Sequence, residues 1–102
     1  MTIRLTSALS AVIYAERSAR GISQSALSAA TRMHKMSISK IERGVSLDIG
    51  VETLSCIGAA MGLKASEMLA RAEQWRDELA SEPDTKRSGA ELAAVVSLRR
   101  LA

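Results

Sequence analysis

An all-α fold follows from three features of this 102-residue chain. Apolar residues make up 47% of it, supplied by Ala, Leu, Ile, Val and Met with no Phe, a composition that suits helices. They recur at helical spacing in segment after segment. Polar caps and glycines punctuate those segments at helix length. The chain is long enough for one small domain with an appendage. The natural division is a domain over residues 1–81, then a linker and C-terminal helix over 82–102.

The first helix is expected from Leu5 or Thr6 to Ala19, with Leu5, Leu9, Val12 and Ile13 as its apolar stripe. Tyr14 reads as a packing residue with its hydroxyl at the surface. Arg17 and Arg20 stand near the C-terminal end, where cations favour the helix dipole; reaching a phosphate is the other role open to them. Gly21 to Gly44, GISQSALSAATRMHKMSISKIERG, then reads as two short helices around a tight turn. Ser23 can accept the N-cap hydrogen bond, so a helix starts at Gln24. Ala26, Leu27 and Ala30 form its apolar face, and Met33 plugs the turn as a buried residue. The second short helix runs from about His34 to Arg43, with Ile38 and Ile41 facing the core. Gly44 stands where a left-handed residue is wanted past a helix end. Lys35, Met36, Ser37, Ser39 and Lys40 are left on the outward face, a basic and small-polar surface that suits the major groove of DNA.

Val45 to Gly50 connects to a helix over Val51 to Met61, whose Leu54, Ile57, Ala60 and Met61 face inward. Cys56 lies beside that face and reads as a small core hydrophobe. Gly62 ends the helix. A fifth helix starts near Ala65 or Ser66 and continues to about Ser81. Met68, Ala72, Trp75 and Leu79 are spaced four, three and four along it, a heptad-like seam. Met68 and Leu69 are expected on the domain's own core. Trp75 and Leu79, so much further along, are expected against a second subunit or the tail. Glu82 to Arg87, EPDTKR, holds the only proline and no apolar residue, and reads as a linker. Ser88-Gly89-Ala90-Glu91 matches a capping box. It opens an amphipathic helix carrying Leu92, Val95, Val96, Leu98 and Leu101. Alone such a helix is marginal, so it needs its own domain, a second subunit or another protein to sit on.

The net charge of +3 is unevenly laid out. Residues 1–43 hold seven Lys or Arg against two acids, residues 44–84 three against eight, and residues 85–102 four against one. The basic excess coincides with the two-helix stretch, as a phosphate-facing side requires. Two aromatics, Tyr14 and Trp75, give no stacking platform for single strands. One cysteine makes no internal disulfide, and the N-terminus, MTIRLTSALS, has no hydrophobic signal core, so a reducing cytoplasm is expected. No apolar run is long enough to span a membrane, and no membrane partner is expected. A single histidine, a single cysteine, no glycine-rich phosphate loop and no zinc spacing give catalysis no support. The expectation is a non-enzyme with no metal and no cofactor.

The 21–44 stretch resembles the helix-turn-helix of the Cro/CI repressors and their XRE relatives. The family pattern is Gly, an aliphatic, Ser/Thr, Gln, two variable positions, Leu and a small residue. Gly21, Ile22, Ser23, Gln24, Ser25, Ala26, Leu27 and Ser28 meet it, and Ile38 to Gly44 is close to the second half. The likeness extends over roughly Ser7 to Leu69. It implies a five-helix lambda-repressor-like DNA-binding domain, here with an extended fifth helix and an additional C-terminal helix. Position by position, it implies that Gln24 binds a phosphate through its amide at a helix N-terminus. Lys35, Met36 and Lys40 face bases, the lysines toward guanine and Met36 toward a thymine methyl. Ser37 and Ser39 serve bases or backbone; Arg43 and, more weakly, His34 meet phosphates. Glu42 reads as the structural partner of a nearby basic group. Two positions depart from the pattern. Arg32 stands where glycine is usual, at a cost on the order of 1 kcal/mol if its φ is positive, and His34 replaces the usual Ser or Thr cap.

The role so implied is a transcription regulator binding double-stranded DNA, a repressor on a palindromic operator. It would act as a homodimer joined through Trp75, Leu79, Leu92, Val95 and Val96. The alternative is an antitoxin-like adaptor whose tail captures a protein partner and which regulates its own promoter. An activator touching polymerase is a third reading, because a fold does not fix the outcome of DNA binding.

Overall fold

The computed structural model describes residues 3–46, 48–82 and 87–101. Six helices follow one another: α1 (Leu5–Ala19), α2 (Gln24–Thr31), α3 (Lys35–Glu42), α4 (Val51–Ala60), α5 (Ala65–Glu78) and α6 (Gly89–Leu101). Among the described residues there is no strand. The fold is the all-α architecture expected from the helical spacing, with α5 ending three residues before Ser81. Most of the expected linker, Pro83 to Lys86, lies outside the described residues.

Local chemistry sets the helix ends. Ser23 Oγ accepts from the Ala26 amide at 3.0 Å, which satisfies one free donor at the start of α2. At the end of α3 the chain turns on Gly44, φ +74°. The Gly44 and Val45 amides return to the Ile41 and Lys40 carbonyls, both at 3.1 Å. That Schellman arrangement needs a left-handed residue, which glycine supplies without a Cβ clash. The capping box at α6 is formed in both directions: Glu91 N–H donates to Ser88 Oγ, and Ser88 N–H donates to Glu91 Oε1, each at 3.2 Å.

The core is organised around α1, which packs most extensively against α6 and α5. Leu9, Val12 and Ile13 are buried, as their spacing predicts, but so are Ala8 and Ala11. These alanines fill a second face of the helix, which a one-sided stripe does not reveal. The start of α6 presses closely on it. A Cβ built on Gly89 would stand 2.5 Å from the Ser10 carbonyl oxygen and 2.6 Å from that of Glu42. Only a residue without a side chain lets the tail approach α1 and the end of α3 together.

That approach gives the tail one of the seats its sequence leaves open, its own domain. Trp75, Leu79, Leu92 and Val96 are buried in one cluster with Leu9, Val12 and Ile57, and Val95 packs against the same cluster half-buried. They are buried within this chain's own cluster, tail residues included, which is one of the two settings expected for Trp75 and Leu79. Polar ties close the far end. Arg99 donates to the Glu78 carbonyl, Ser81 Oγ and Glu82 at 2.7–2.8 Å. Arg100 donates to Glu78 at 3.2 Å and stands over the Trp75 ring, 5.5 Å from its centroid. Leu98 and Leu101, expected on the apolar face of α6, are 67% and 83% exposed.

Four further positions differ from the periodicity. Ala26 and Ala30 are exposed, and Leu27 is the one buried residue of α2, because the short helix meets the core along a single line. Met33 is half-buried rather than fully enclosed. Cys56 is exposed, since the inward stripe of α4 runs through Leu54, Ile57 and Gly58 and turns Cys56 outward.

Candidate nucleic-acid interface

The turn between α2 and α3 is held from within. Thr31 Oγ1 donates to the Leu27 carbonyl at 2.7 Å and accepts from the Met33 amide at 3.3 Å, and Ser28 donates to the Met33 carbonyl. Arg32 carries the reversal with φ 58° and ψ 22°, a left-handed conformation that a side chain disfavours. His34 then caps α3, its Nδ1 accepting from the Met36 amide at 3.2 Å. The accepting role places the neutral ring's proton on Nε2, which leaves Nε2–H as the free donor.

Below the turn lies a polar clamp. Glu42 is 4% exposed. Arg17 reaches it from α1 with two hydrogen bonds, Nε to Oε2 at 2.7 Å and Nη2 to Oε1 at 2.9 Å. The Gln24 amide nitrogen adds a third, to Oε1 at 3.1 Å, and Arg17 Nη1 also donates to the Ile22 carbonyl at 2.8 Å. The hydrogen bond to Glu42 raises the Arg17 pKa above its ordinary value against the opposing effect of burial. Tyr14 lies under the same guanidinium, its ring centroid 5.4 Å away, which is the packing role expected of it. Glu42 thus has the basic partner expected of it. Arg17 stands in the last turn of α1, where its charge favours the helix dipole as expected, while its guanidinium is taken up by Glu42. Arg20 pairs with Glu16 at 2.6 Å.

With its inner face fixed, α3 turns the rest outward. His34, Lys35, Met36, Ser37, Lys40 and Arg43 are exposed, and Ser39 is half-buried. Gln24, His34, Lys35, Met36 and Ser39 surround one shallow hollow at the start of the two helices. Ser37 and Lys40 face a second one, with Met33, Asp48 and Thr53 among its walls. Arg43 stands beyond both, its Nε donating to the Ser39 carbonyl at 3.3 Å. Gln24 is the one expected contact residue whose amide is already engaged, through a single N–H to Glu42. The Arg17–Glu42 pair is the feature the sequence left unpaired; its only signal was a carboxylate beside buried Ile41 in a basic stretch.

Comparison with known proteins decides the family. A helix-turn-helix family model matches residues 13–68, from the middle of α1 into α5. The chain belongs to that family. It is a Cro/CI-type, XRE-family helix-turn-helix protein, and at family level a DNA-binding transcriptional regulator. In comparisons with curated proteins and with solved structures, nothing matches. The family match takes in α2, α3 and α4 whole and stops before Trp75, so α6 lies outside it. No helix among the described residues is long and apolar enough to cross a membrane. Nor do those residues include a group of three His, Cys, Asp or Glu placed to hold a metal.

Proposed function

We propose that this helix-turn-helix protein is a cytoplasmic repressor that lays α3 in the major groove of a palindromic operator as a homodimer. The observation that carries the reading is the face of α3. Lys35, Met36, Ser37 and Lys40 are exposed on a helix whose opposite side is locked by Ile38, Ile41 and the Glu42 clamp. Lys35 and Lys40 donate to base edges, and Arg43, His34 Nε2–H and the second amide N–H of Gln24 meet phosphates. A dimer places two such helices about 34 Å apart in successive grooves. The molecule measures 36 × 27 × 22 Å, which suits two copies side by side on one face of the duplex. The dimer contact falls to exposed apolar residues such as Val45 and Val51, because Trp75, Leu79, Leu92 and Val96 are buried. On α6 the same packing leaves Leu98 and Leu101 exposed, the part of the tail on which the adaptor reading would rest.

Selection of bound duplexes from a random DNA pool at near-physiological salt tests this. An enriched inverted repeat with half-sites about one turn apart is the expected result. A single short site retains DNA reading and rejects the dimer. No enrichment from folded protein rejects the operator reading.

A further inference from the structure

We infer that Gly89 and Glu82 are positioning residues for DNA reading: they seat α6 against the end of α3 and so set the pose in which Lys40 and Arg43 meet the duplex. The inference rests on the DNA-binding reading above. It adds to that reading a part of the chain beyond the family match, which ends at residue 68.

α3 is a helix of eight residues that packs on α2 and α1. Its last residue, Glu42, is held through its carboxylate by Arg17 of α1. The second support at this end is backbone. Gly89 stands so close that an added Cβ would lie 2.6 Å from the Glu42 carbonyl oxygen and 2.5 Å from that of Ser10 on α1. Two residues past Glu42, the turn out of α3 meets the chain entering α6. A Cβ on Gly44 would lie 3.1 Å from the Arg87 carbonyl oxygen. The start of α6 is thus wedged against both α1 and the end of α3. Gly89 is buried there, while Lys40 and Arg43, which flank Glu42, are exposed. The C-terminal end of α3 and the N-terminal end of α6 carry opposite partial charges, which favours their contact. Backbone against backbone cannot adapt by changing a rotamer, so a displacement of α6 is passed on to α3.

Glu82 keeps the wedge in place. Its two carboxylate oxygens each take one guanidinium, Arg87 ahead of α6 at 2.8 Å and Arg99 near its end at 2.7 Å. One side chain at the end of α5 therefore ties down both ends of the tail helix. A recognition surface tolerates a misplacement of about half an ångström. A Cβ on Gly89 demands a shift of that order, because real Cβ contacts essentially never fall under 3.0 Å.

The test uses the full-length protein, a duplex taken from the pool selection and an unrelated duplex of the same length. Affinity for each is measured on protein whose folded fraction is known from circular dichroism. Gly89→Ala should lose about tenfold on the selected duplex, an ordinary size for coupling between two sites. It should lose almost nothing on the unrelated duplex, where phosphate attraction suffices without an exact pose. Leu63→Ala, which empties core volume in the turn between α4 and α5, should keep the wild-type ratio of the two affinities. Glu82→Ala serves as the second variant and leaves the Gly89 contact unaltered. It removes an acid, so charge alone would tighten binding to both duplexes; loss of the seat predicts weaker binding to the selected one. Folded Gly89→Ala with the wild-type ratio, the same change of ratio in Leu63→Ala, or Glu82→Ala tightening both duplexes alike overturns the positioning role and leaves DNA reading intact. Failure of the wild type to select any duplex overturns both.

Discussion

Arg17 and Glu42, 25 residues apart, meet in a two-point ion pair that joins the end of α1 to the end of α3. Their side chains are 13% and 3% exposed. A pair so enclosed is stiff, because neither charge has water to turn to. It sets the angle at which α3 leaves the core. Removing one partner strands the other. Arg17→Ala should therefore cost about 3 kcal/mol of unfolding free energy in urea titration. Replacing both residues by apolar ones should cost clearly less than the two single changes added together. Additive losses would show that the pair is not coupled.

Arg32 holds a left-handed conformation that a side chain disfavours by about 1 kcal/mol. Arg32→Gly removes that strain and returns part of the gain through the more flexible unfolded chain. The expected net effect is a rise of a few degrees in Tm. Arg32→Val, branched at Cβ, should lower Tm instead. Calorimetry of the two variants checks both signs.

Gly89 lies in α6, where alanine is ordinarily the better helix former by up to about 1 kcal/mol. Here the sign should reverse. The added Cβ would meet two backbone carbonyls, neither of which can swing aside. Gly89→Ala is expected to destabilise by about 1–3 kcal/mol, the range for overpacking. An unchanged or raised denaturation midpoint would mean that α6 is not pressed against Ser10 and Glu42.

Lys35 and Lys40 should behave differently from Arg43 and Gln24 on DNA. Lys35→Ala or Lys40→Ala is expected to relax sequence preference by about 1–3 kcal/mol. Arg43→Ala should weaken all sequences alike and lower the salt slope by about 1. Gln24→Ala should also weaken all sequences alike, with an added loss of fold stability from its bond to Glu42. Equal losses on every duplex for the two lysine variants would reject them as base readers.

Acid should loosen the contact between α1 and α5. Burial raises the Glu16 pKa, but its bonds and attraction to Arg20 and Arg71 outweigh that and hold the carboxyl below its ordinary 4.5. A carboxyl lowered on folding stabilises fully above its unfolded value, and the contribution is lost as pH falls through the folded value. Glu82, bonded to Arg87 and Arg99, shifts in the same direction. Unfolding free energy should fall between about pH 5 and about pH 3, and Glu16→Gln should flatten part of that fall while costing stability at neutral pH. An unchanged slope in the variant would remove Glu16 from the account.

The outward face of α3 is legible in the sequence because it depends on a short-range rule. In eight residues of helix, two isoleucines three apart fix the buried side, and Lys35, Met36, Ser37 and Lys40 are on the other. The hollow beside Met36 is not, because it depends on where the Gln24 amide nitrogen and His34 Nδ1 turn. Those atoms turn to Glu42 and to the Met36 amide. Cys56 shows the same limit from the other direction. It sits one residue from the inward stripe of α4, and a helix turns about 100° per residue, enough to carry it from core to solvent.

The sequence by itself determined the helical segments, the caps at Ser23 and Ser88 and the left-handed site at Gly44, together with the outward-facing side of α3. Each of these is decided within a few residues by hydrogen bonding and backbone sterics. The tertiary structure alone decided that Arg17 finds Glu42 and that Gly89 seats the tail on α1. It also decided that Trp75 and Leu79 are buried in one cluster with Leu92 and Val96 of the same chain. Such contacts join segments from about 20 to 80 residues apart, and an apolar stripe specifies that it must be covered without specifying by what. Here close approach at Gly89 and the ties of Arg99 and Arg100 to Glu82 and Glu78 make the covering element the chain's own last helix.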